Sequence, residues 1–146
     1  MLSNMKILRI KSIVIVSALG LLLFFTGCKK IDKEIVGKWK YETLGKENLQ
    51  EASWTFNDDN TLVRAYLAKN GRWYYDSCNY SVKTNFLKKE LTIQNSKILP
   101  IGIQDASGVY KIESFKKGQM DLTRFKLSDG TKNGAYLRAE MKKTKN

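Results

Sequence analysis

The stretch Val36-Gly37-Lys38-Trp39-Lys40-Tyr41-Glu42-Thr43-Leu44 decides the fold class, because apolar and polar residues alternate along it. One face would carry Trp39, Tyr41 and Thr43, and the other face would carry charged residues. A period of two residues is typical of a β-strand that buries one side and exposes the other. This stretch therefore predicts a strand at the start of an all-β domain.

Further runs rich in aromatic and β-branched residues follow, separated by clusters of Gly, Asn and Asp. They predict strands over Glu51–Asn57, Thr61–Leu67, Arg72–Val82, Phe86–Gln94, Gly108–Phe115, Gln119–Leu127 and Ala135–Lys143. Lys69-Asn70-Gly71 is the clearest hairpin signal, because Asn-Gly supplies the positive φ angles of a tight turn. About eight strands in simple succession hide their edges by closing on themselves. We therefore expect an antiparallel up-and-down barrel, which has room for side chains or for one small ligand.

The N-terminal part of the chain has the pattern of a secretory signal peptide. Lys6, Arg9 and Lys11 precede an uncharged run whose apolar centre is Ile13 to Phe25. This run of about 13 residues is shorter than the roughly 20 that a transmembrane helix needs. A cleaved signal is therefore the better interpretation, and an uncleaved membrane anchor or a buried core strand is the alternative.

The run Phe24-Phe25-Thr26-Gly27-Cys28-Lys29-Lys30 resembles a bacterial lipobox. The resemblance implies that residues 1–27 are removed and that Cys28 receives a diacylglycerol thioether and an N-acyl chain. Two or more acyl chains hold a protein stably at a membrane. Lys29 stands where many inner-membrane lipoproteins have Asp, so the resemblance favours the periplasmic face of the outer membrane. We expect residues 28–35 to form a short tether and residues 36–146 to form the barrel.

The part of the chain from Cys28 onward is one domain with a basic charge balance. It has 119 residues, 23 of the 26 Lys and Arg and all 14 acidic residues, which gives 23 minus 14, or +9. Such a charge attracts anionic partners, and for an exported protein these are anionic lipids or acidic glycans rather than nucleic acid. A solvated lysine face is the simpler alternative. We expect a monomer.

The residue inventory argues against catalysis and against a bound metal or other cofactor. The chain has no histidine, which excludes Ser-His and Cys-His nucleophile pairs and a zinc site of nitrogen and sulfur ligands. Lipidation of Cys28 would leave Cys78 without a partner, either as a small buried side chain or as a reactive thiol. Ser114-Phe115-Lys116-Lys117 matches Ser-x-x-Lys, but it lies at a strand end instead of on a helix. Asp76 and the other isolated aspartates lack the spacing of a calcium loop, and we expect them in turns and at the surface.

The connection Asn95–Asp105 is unusually apolar and holds the only proline, Pro100. A loop of this kind is typical of a lid over a cavity or of a patch that touches lipid. The alternative is an extra edge strand packed on the core.

Ile35-Val36-Gly37-Lys38-Trp39-Lys40 resembles the Gly-x-Trp opening of the lipocalins and of the smaller lipocalin-like domains of Bacteroidota lipoproteins. Trp54-Thr55-Phe56 and Gly71-Arg72-Trp73 agree with the second group. The resemblance implies structural roles for Gly37 and Trp39, with Trp39 plugging the closed end of the barrel. It also implies a late arginine across the indole, for which Arg138 is the candidate and Arg124 the alternative.

The aromatic residues that are expected to point inward lead to an expectation about ligand binding. An apolar cavity would be lined by the inward aromatic residues Trp39, Tyr41, Trp54, Phe56 and Trp73, and an inward Arg64 or Lys89 would orient an acidic head group. A small apolar or amphipathic ligand is then the expected cargo. The alternative is that these side chains fill the barrel, which would act through its surface as a protein-interaction or inhibitor module in the cell envelope.

Overall fold

The computed structural model describes residues 30–42, 48–85 and 87–145, of which residues 30, 101 and 134–137 are described by their backbone alone. Cys28 and the predicted signal peptide lie outside these residues. Within the described ranges, no helix is both long enough and apolar enough to cross a membrane.

The described chain is an eight-stranded barrel preceded by one short helix. Its elements are α1 (Lys30–Glu34), β1 (Gly37–Tyr41), β2 (Leu49–Phe56), β3 (Thr61–Ala68), β4 (Trp73–Thr84), β5 (Lys89–Gln94), a 3-10 turn (Pro100–Gly102), β6 (Gly108–Lys116), β7 (Gln119–Leu127) and β8 (Lys132–Lys143). Each strand pairs antiparallel with the next, and β8 pairs with β1. The predicted up-and-down barrel is confirmed.

Two strands begin at residues other than the predicted ones, and a side chain explains the first of these differences. The carboxamide oxygen of Asn85 accepts hydrogen bonds from the backbone N–H groups of Leu87 (3.1 Å) and Lys88 (2.6 Å). This contact closes a turn over residues that the sequence had assigned to β5, so the strand begins at Lys89. β8 begins at Lys132 and not at Ala135.

The two ends of the barrel are closed differently, and we call them the base and the mouth. The base is the end where β1 begins, and the alternation of strand directions also places turns 57–60, 85–88 and 117–118 there. The mouth carries turns 69–72 and 128–131 and the long connection 95–107.

The base is sealed by the residues that were expected to form a tether. Ile31 and Ile35 are buried in the core cluster, and Ile35 is 0% exposed. The indole N–H of Trp39 donates to the carbonyl oxygen of Ile35 at 2.7 Å, and the ring of Phe115 lies 5.6 Å away from the Trp39 ring. Residues 31–35 are therefore part of the barrel and not a free linker. The described core residues extend from Ile31 to Met141, so the domain after Cys28 carries its own core.

Gly108 begins β6 and pairs with β7 beside a register shift between these two strands. Its φ angle is +145°, and a Cβ atom there would overlap the carbonyl oxygen of Lys126. Because both atoms belong to paired backbones, neither can move without breaking the ladder.

We expect Gly108→Ala to lower the free energy of unfolding by about 3 kcal/mol, measured by urea denaturation. The matched control is Gly71→Ala in the turn of residues 69–72, where φ is +80° and no atom lies within 4 Å of a new Cβ. There only the backbone strain of about 1 kcal/mol remains. Equal losses for the two variants would show that the strand contact at Gly108 is unimportant.

Candidate functional site

The loop of residues 95–107 covers the mouth of the barrel. Ile103 is buried against residues of β2 and β3, including Leu49 and Tyr66, while Ile98 is 76% exposed. The only β-bridge described within the loop joins its own Leu99 and Ile103. The alternative of an extra edge strand is therefore wrong, and the segment is a cover held over the interior.

Arg64 is the centre of the polar contacts under this loop. β3 alternates, so that Leu62, Arg64 and Tyr66 all point inward and are buried. An arginine has five N–H donors, and all five donate here. Nε and Nη2 bind Asp76 Oδ2 (2.9 and 2.6 Å), Nη2 also binds Lys97 O (2.8 Å), and Nη1 binds Tyr66 Oη (3.3 Å) and Gln104 O (3.2 Å). The guanidinium is fully satisfied within the protein.

Asp76 lies directly opposite Arg64 in the β3–β4 register, and both side chains are 1% exposed. Its Oδ2 also accepts hydrogen bonds from Ser96 Oγ (3.0 Å) and from the backbone N–H of Lys97 (3.1 Å). Burial alone would raise the pKa of Asp76, but the hydrogen bonds from Arg64, Lys97 and Ser96 prevail and lower it. The carboxylate therefore stays charged and fixes the start of the loop.

Tyr66 connects this ion pair to the aromatic interior. Its hydroxyl oxygen accepts hydrogen bonds from Trp54 Nε1 at 3.1 Å and from Arg64 at 3.3 Å. Burial raises the pKa of Tyr66 although the charge of Arg64 opposes the shift. The phenol is therefore a neutral part of the hydrogen-bond network.

A second buried arginine holds the other half of the loop. Arg124 on β7 donates from Nη1 to the carbonyl oxygen of Asp105 at 2.7 Å. Nearby, the hydroxyl of Tyr110 donates to the carbonyl oxygen of Ala106, also at 2.7 Å, and burial raises the pKa of Tyr110. Two atoms under the loop, Arg124 Nε and Asp76 Oδ1, are buried without a hydrogen-bond partner in the described structure.

The structure brings together some of the residues predicted for the interior. Trp39, Trp54, Phe56 and Arg64 are fully buried inside the barrel. Tyr41 is half-buried, and its ring lies 5.7 Å from that of Trp54 in an edge-on contact.

Two predicted interior residues, Trp73 and Lys89, lie at the surface instead. β4 directs Asp76 and Cys78 inward, so Trp73 belongs to the outward set; it is 41% exposed and stacks on Tyr75 with ring centroids 5.9 Å apart. Lys89 shares the face of the inward residues of β5, but it is the first residue of that strand and lies beyond the end of the interior.

The cation over Trp39 is Lys143 and not Arg138. The β1–β8 register places Lys143 beside Trp39, and its ammonium lies 5.4 Å from the indole centroid. Arg138 is exposed and pairs with Glu140 at 3.1 Å, while the alternative, Arg124, lies near the mouth. Gly37 has φ +127°, a backbone conformation that favours glycine, and a Cβ there would also displace the end of the Lys143 side chain.

Sequence reasoning missed Asp76 and assigned it to turns and the surface. Its alternation with the inward Cys78 and Tyr80 was the available signal, but a lone aspartate in a strand gives no sign of its partner. Cys78 is a small buried side chain, and burial raises the pKa of its thiol to about 11.

Barrel, covered mouth and plugged base together define the class of protein: a closed, eight-stranded antiparallel up-and-down barrel with a polar network under one loop. No protein-family model and no curated protein matches the chain. The function is therefore argued from the geometry.

Arg64→Lys tests whether the guanidinium holds the loop. A lysine keeps the charge, but its three donors cannot serve the carboxylate, the phenol and two carbonyl oxygens together. We expect a loss of about 2–3 kcal/mol in unfolding free energy and faster amide hydrogen exchange across residues 96–106. Arg72→Lys, at an exposed turn, is the control and should change neither quantity. Unchanged exchange in Arg64→Lys would contradict this role.

Proposed function

We propose that the chain is a lipocalin-like lipoprotein of the bacterial cell envelope. In this proposal the barrel is tethered to a membrane by a lipid on Cys28, catalyses no reaction and acts through its outer surface. The observation that carries the surface role is the burial of large side chains in the described part of the interior. Its largest side chains, each less than 2% exposed, are Trp39, Trp54, Arg64, Tyr110 and Phe56.

The electrostatics of the interior support the same proposal. An acidic head group could bind Arg64 only by displacing Asp76, Tyr66 or the carbonyl oxygens of the loop, because every donor is already used. Two clefts formed wholly by described residues are lined largely by outward-facing side chains. One, of about 280 Å³, includes Arg138, and the other, of about 520 Å³, includes Lys88.

A non-catalytic role is supported by the chemistry of the candidate groups. The chain has no histidine, and the thiol of Cys78 is buried with a pKa of about 11, so it is protonated at neutral pH. Among the described residues, no group of three His, Cys, Asp or Glu side chains is placed to hold a metal ion.

Ligand binding under the loop is the second candidate function, and one observation favours it. Asp76 Oδ1 and Arg124 Nε are buried beneath residues 95–107 without partners, and unpaired buried polar atoms are rare in native proteins. A small amphipathic ligand that displaced the loop would bring polar groups to both atoms.

Native mass spectrometry separates the two functions. The domain from Lys29 onward would be purified without denaturation from the periplasm of a bacterial host and challenged with fatty acids and phospholipids. A filled barrel predicts the bare mass throughout. A lipid-sized adduct that survives purification and is released by organic extraction would contradict the surface proposal and establish the ligand-binding function.

Cys28→Ala tests the anchor. Without a lipidated cysteine we expect the protein to leave membranes washed with about 1 M salt, because high salt screens charge attraction and only the acyl chains of the anchor would still hold the protein there. Cys78→Ala is the matched control: it removes the other cysteine, which is buried, and should leave the protein in the membrane fraction. Membrane fractionation that persists in Cys28→Ala after this wash would refute the anchor.

A further inference from the structure

The turn of residues 85–88 presents an apolar side chain to solvent at the base of the barrel. Leu87 is 85% exposed, the largest exposed fraction among the large hydrophobic side chains described. The two hydrogen bonds to Asn85 fix the backbone of this turn, so the exposure is built into the fold. Lys88 and Lys89 follow immediately, and both are exposed.

A cleft of about 520 Å³ lies beside this turn and is lined by residues of β5, β6 and β7. Its apolar lining comes from Leu87, from the buried Ile112 on β6 and from the half-buried Phe125 on β7. Its charged lining comes from Lys88, Lys89, Glu90, Lys111 and Glu113. Apolar surface next to ammonium groups is complementary to an amphipathic anion.

The charges around the cleft leave two lysines uncompensated. Glu113 is paired with Lys111 at 2.7 Å. Glu90 lies opposite Lys111 on one side and Lys83 on the other in the strand register. Neither Lys88 nor Lys89 has a carboxylate within salt-bridge distance in the part of the chain that the structure describes.

The positive surface extends to one neighbouring turn of the base, whereas the turn of residues 57–60 on the other side carries the exposed Asp58 and Asp59. The next turn at the same end begins after Lys116 and contains Lys117, and both lysines are exposed. The chain from Cys28 onward carries a net charge of 23 minus 14, or +9, and such a charge attracts the domain to an anionic surface over a distance set by the ionic strength.

The position of the turn relative to the N-terminus supplies the second argument. Ile31 and Ile35 pack into the base, so the chain enters the barrel at the end where Leu87 projects. By contrast, Trp73 begins β4 at the mouth, and with Tyr75 forms a separate exposed aromatic pair. A membrane anchor upstream of Ile31 would bring the base, and not the mouth, next to the lipid.

We propose that the turn of residues 85–88 and the cleft beside it dock the barrel on an anionic phospholipid surface. Leu87 enters the boundary between head groups and acyl chains, and Lys88 and Lys89 contact the lipid phosphates. The proposal rests on the membrane location proposed above and adds to it a specific contact face and a lipid class. Apolar insertion and charge attraction together are how peripheral proteins bind such surfaces.

Vesicle sedimentation tests the docking face with the domain of residues 29–146, which lacks Cys28. Vesicles of phosphatidylcholine with phosphatidylglycerol are compared with vesicles of phosphatidylcholine alone, at about 0.1 M and 1 M salt. We expect binding only to the anionic vesicles and only at the lower salt concentration.

The variants Lys88→Glu/Lys89→Glu and Leu87→Ser test the contacts. The double charge reversal should weaken binding by at least about 30-fold, because each lysine near an anionic surface contributes roughly fivefold. Loss of the leucine should weaken binding by about tenfold. The matched control, Lys69→Glu/Lys132→Glu, makes the same charge change at the mouth and should have an effect of about threefold or less. All variants change exposed residues and should keep the wild-type unfolding temperature.

Three results would overturn the proposal: no binding of the wild-type domain to anionic vesicles, equal binding to neutral vesicles, or equal losses in the base and mouth charge reversals. Because the domain lacks Cys28, the vesicle result is independent of the anchor. Failure of the Cys28→Ala prediction would remove the membrane tether and leave a positive vesicle result standing.

Discussion

Burial of the Arg64–Asp76 ion pair is the constraint on which the structure of the mouth depends. Removing two charges from water costs several kcal/mol for each ion, and their mutual attraction offsets this cost only with good geometry and with further hydrogen bonds to the pair. The barrel wall supplies Tyr66, and the loop of residues 95–107 supplies carbonyl oxygens and N–H groups. The loop is therefore required by the interior it covers.

The base of the barrel is closed by a different kind of interaction. Trp39 fills the end of the interior, α1 and the residues after it cover the indole, and Lys143 lies over the ring. This seal depends mainly on apolar area and on hydrogen bonds such as those from Trp39 to Ile35 and from Lys143 to Glu34, and none of the ion pairs found among the described residues of the base is buried. The two ends should respond differently to solvent conditions, because salt and pH act on charges while apolar packing responds mainly to temperature and denaturant.

The sequence predicted the strands and the closed barrel because both follow from alternation and turn composition. It also placed Trp39, Trp54, Phe56 and Arg64 inside, where alternation within a strand is regular. It failed for Lys89 because alternation does not reveal where the interior ends.

Contacts between residues on different strands could not be predicted from the sequence, for a related reason. Asp76 meets Arg64 only through the β3–β4 register, and Lys143 meets Trp39 only through the β1–β8 register. Register is set by turn geometry and by bulges, such as the shift between Ile112 and Ser114, which no local pattern announced. The contacts of the polar network and of the cation over the indole could therefore not be predicted, although the sequence shows each residue that takes part.

The pairing of β1 with β8, which closes the barrel, also affects the rate of folding. It joins Trp39 to Lys143, Lys40 to Lys142 and Tyr41 to Met141, so the first strand obtains its second neighbour from the last. Contacts of such large sequence separation form slowly, because the intervening chain must be ordered first. Until β8 arrives, β1 and β7 are open edges that can pair with other chains. Protection from aggregation during biogenesis thus rests on the final strand, whatever the barrel later binds.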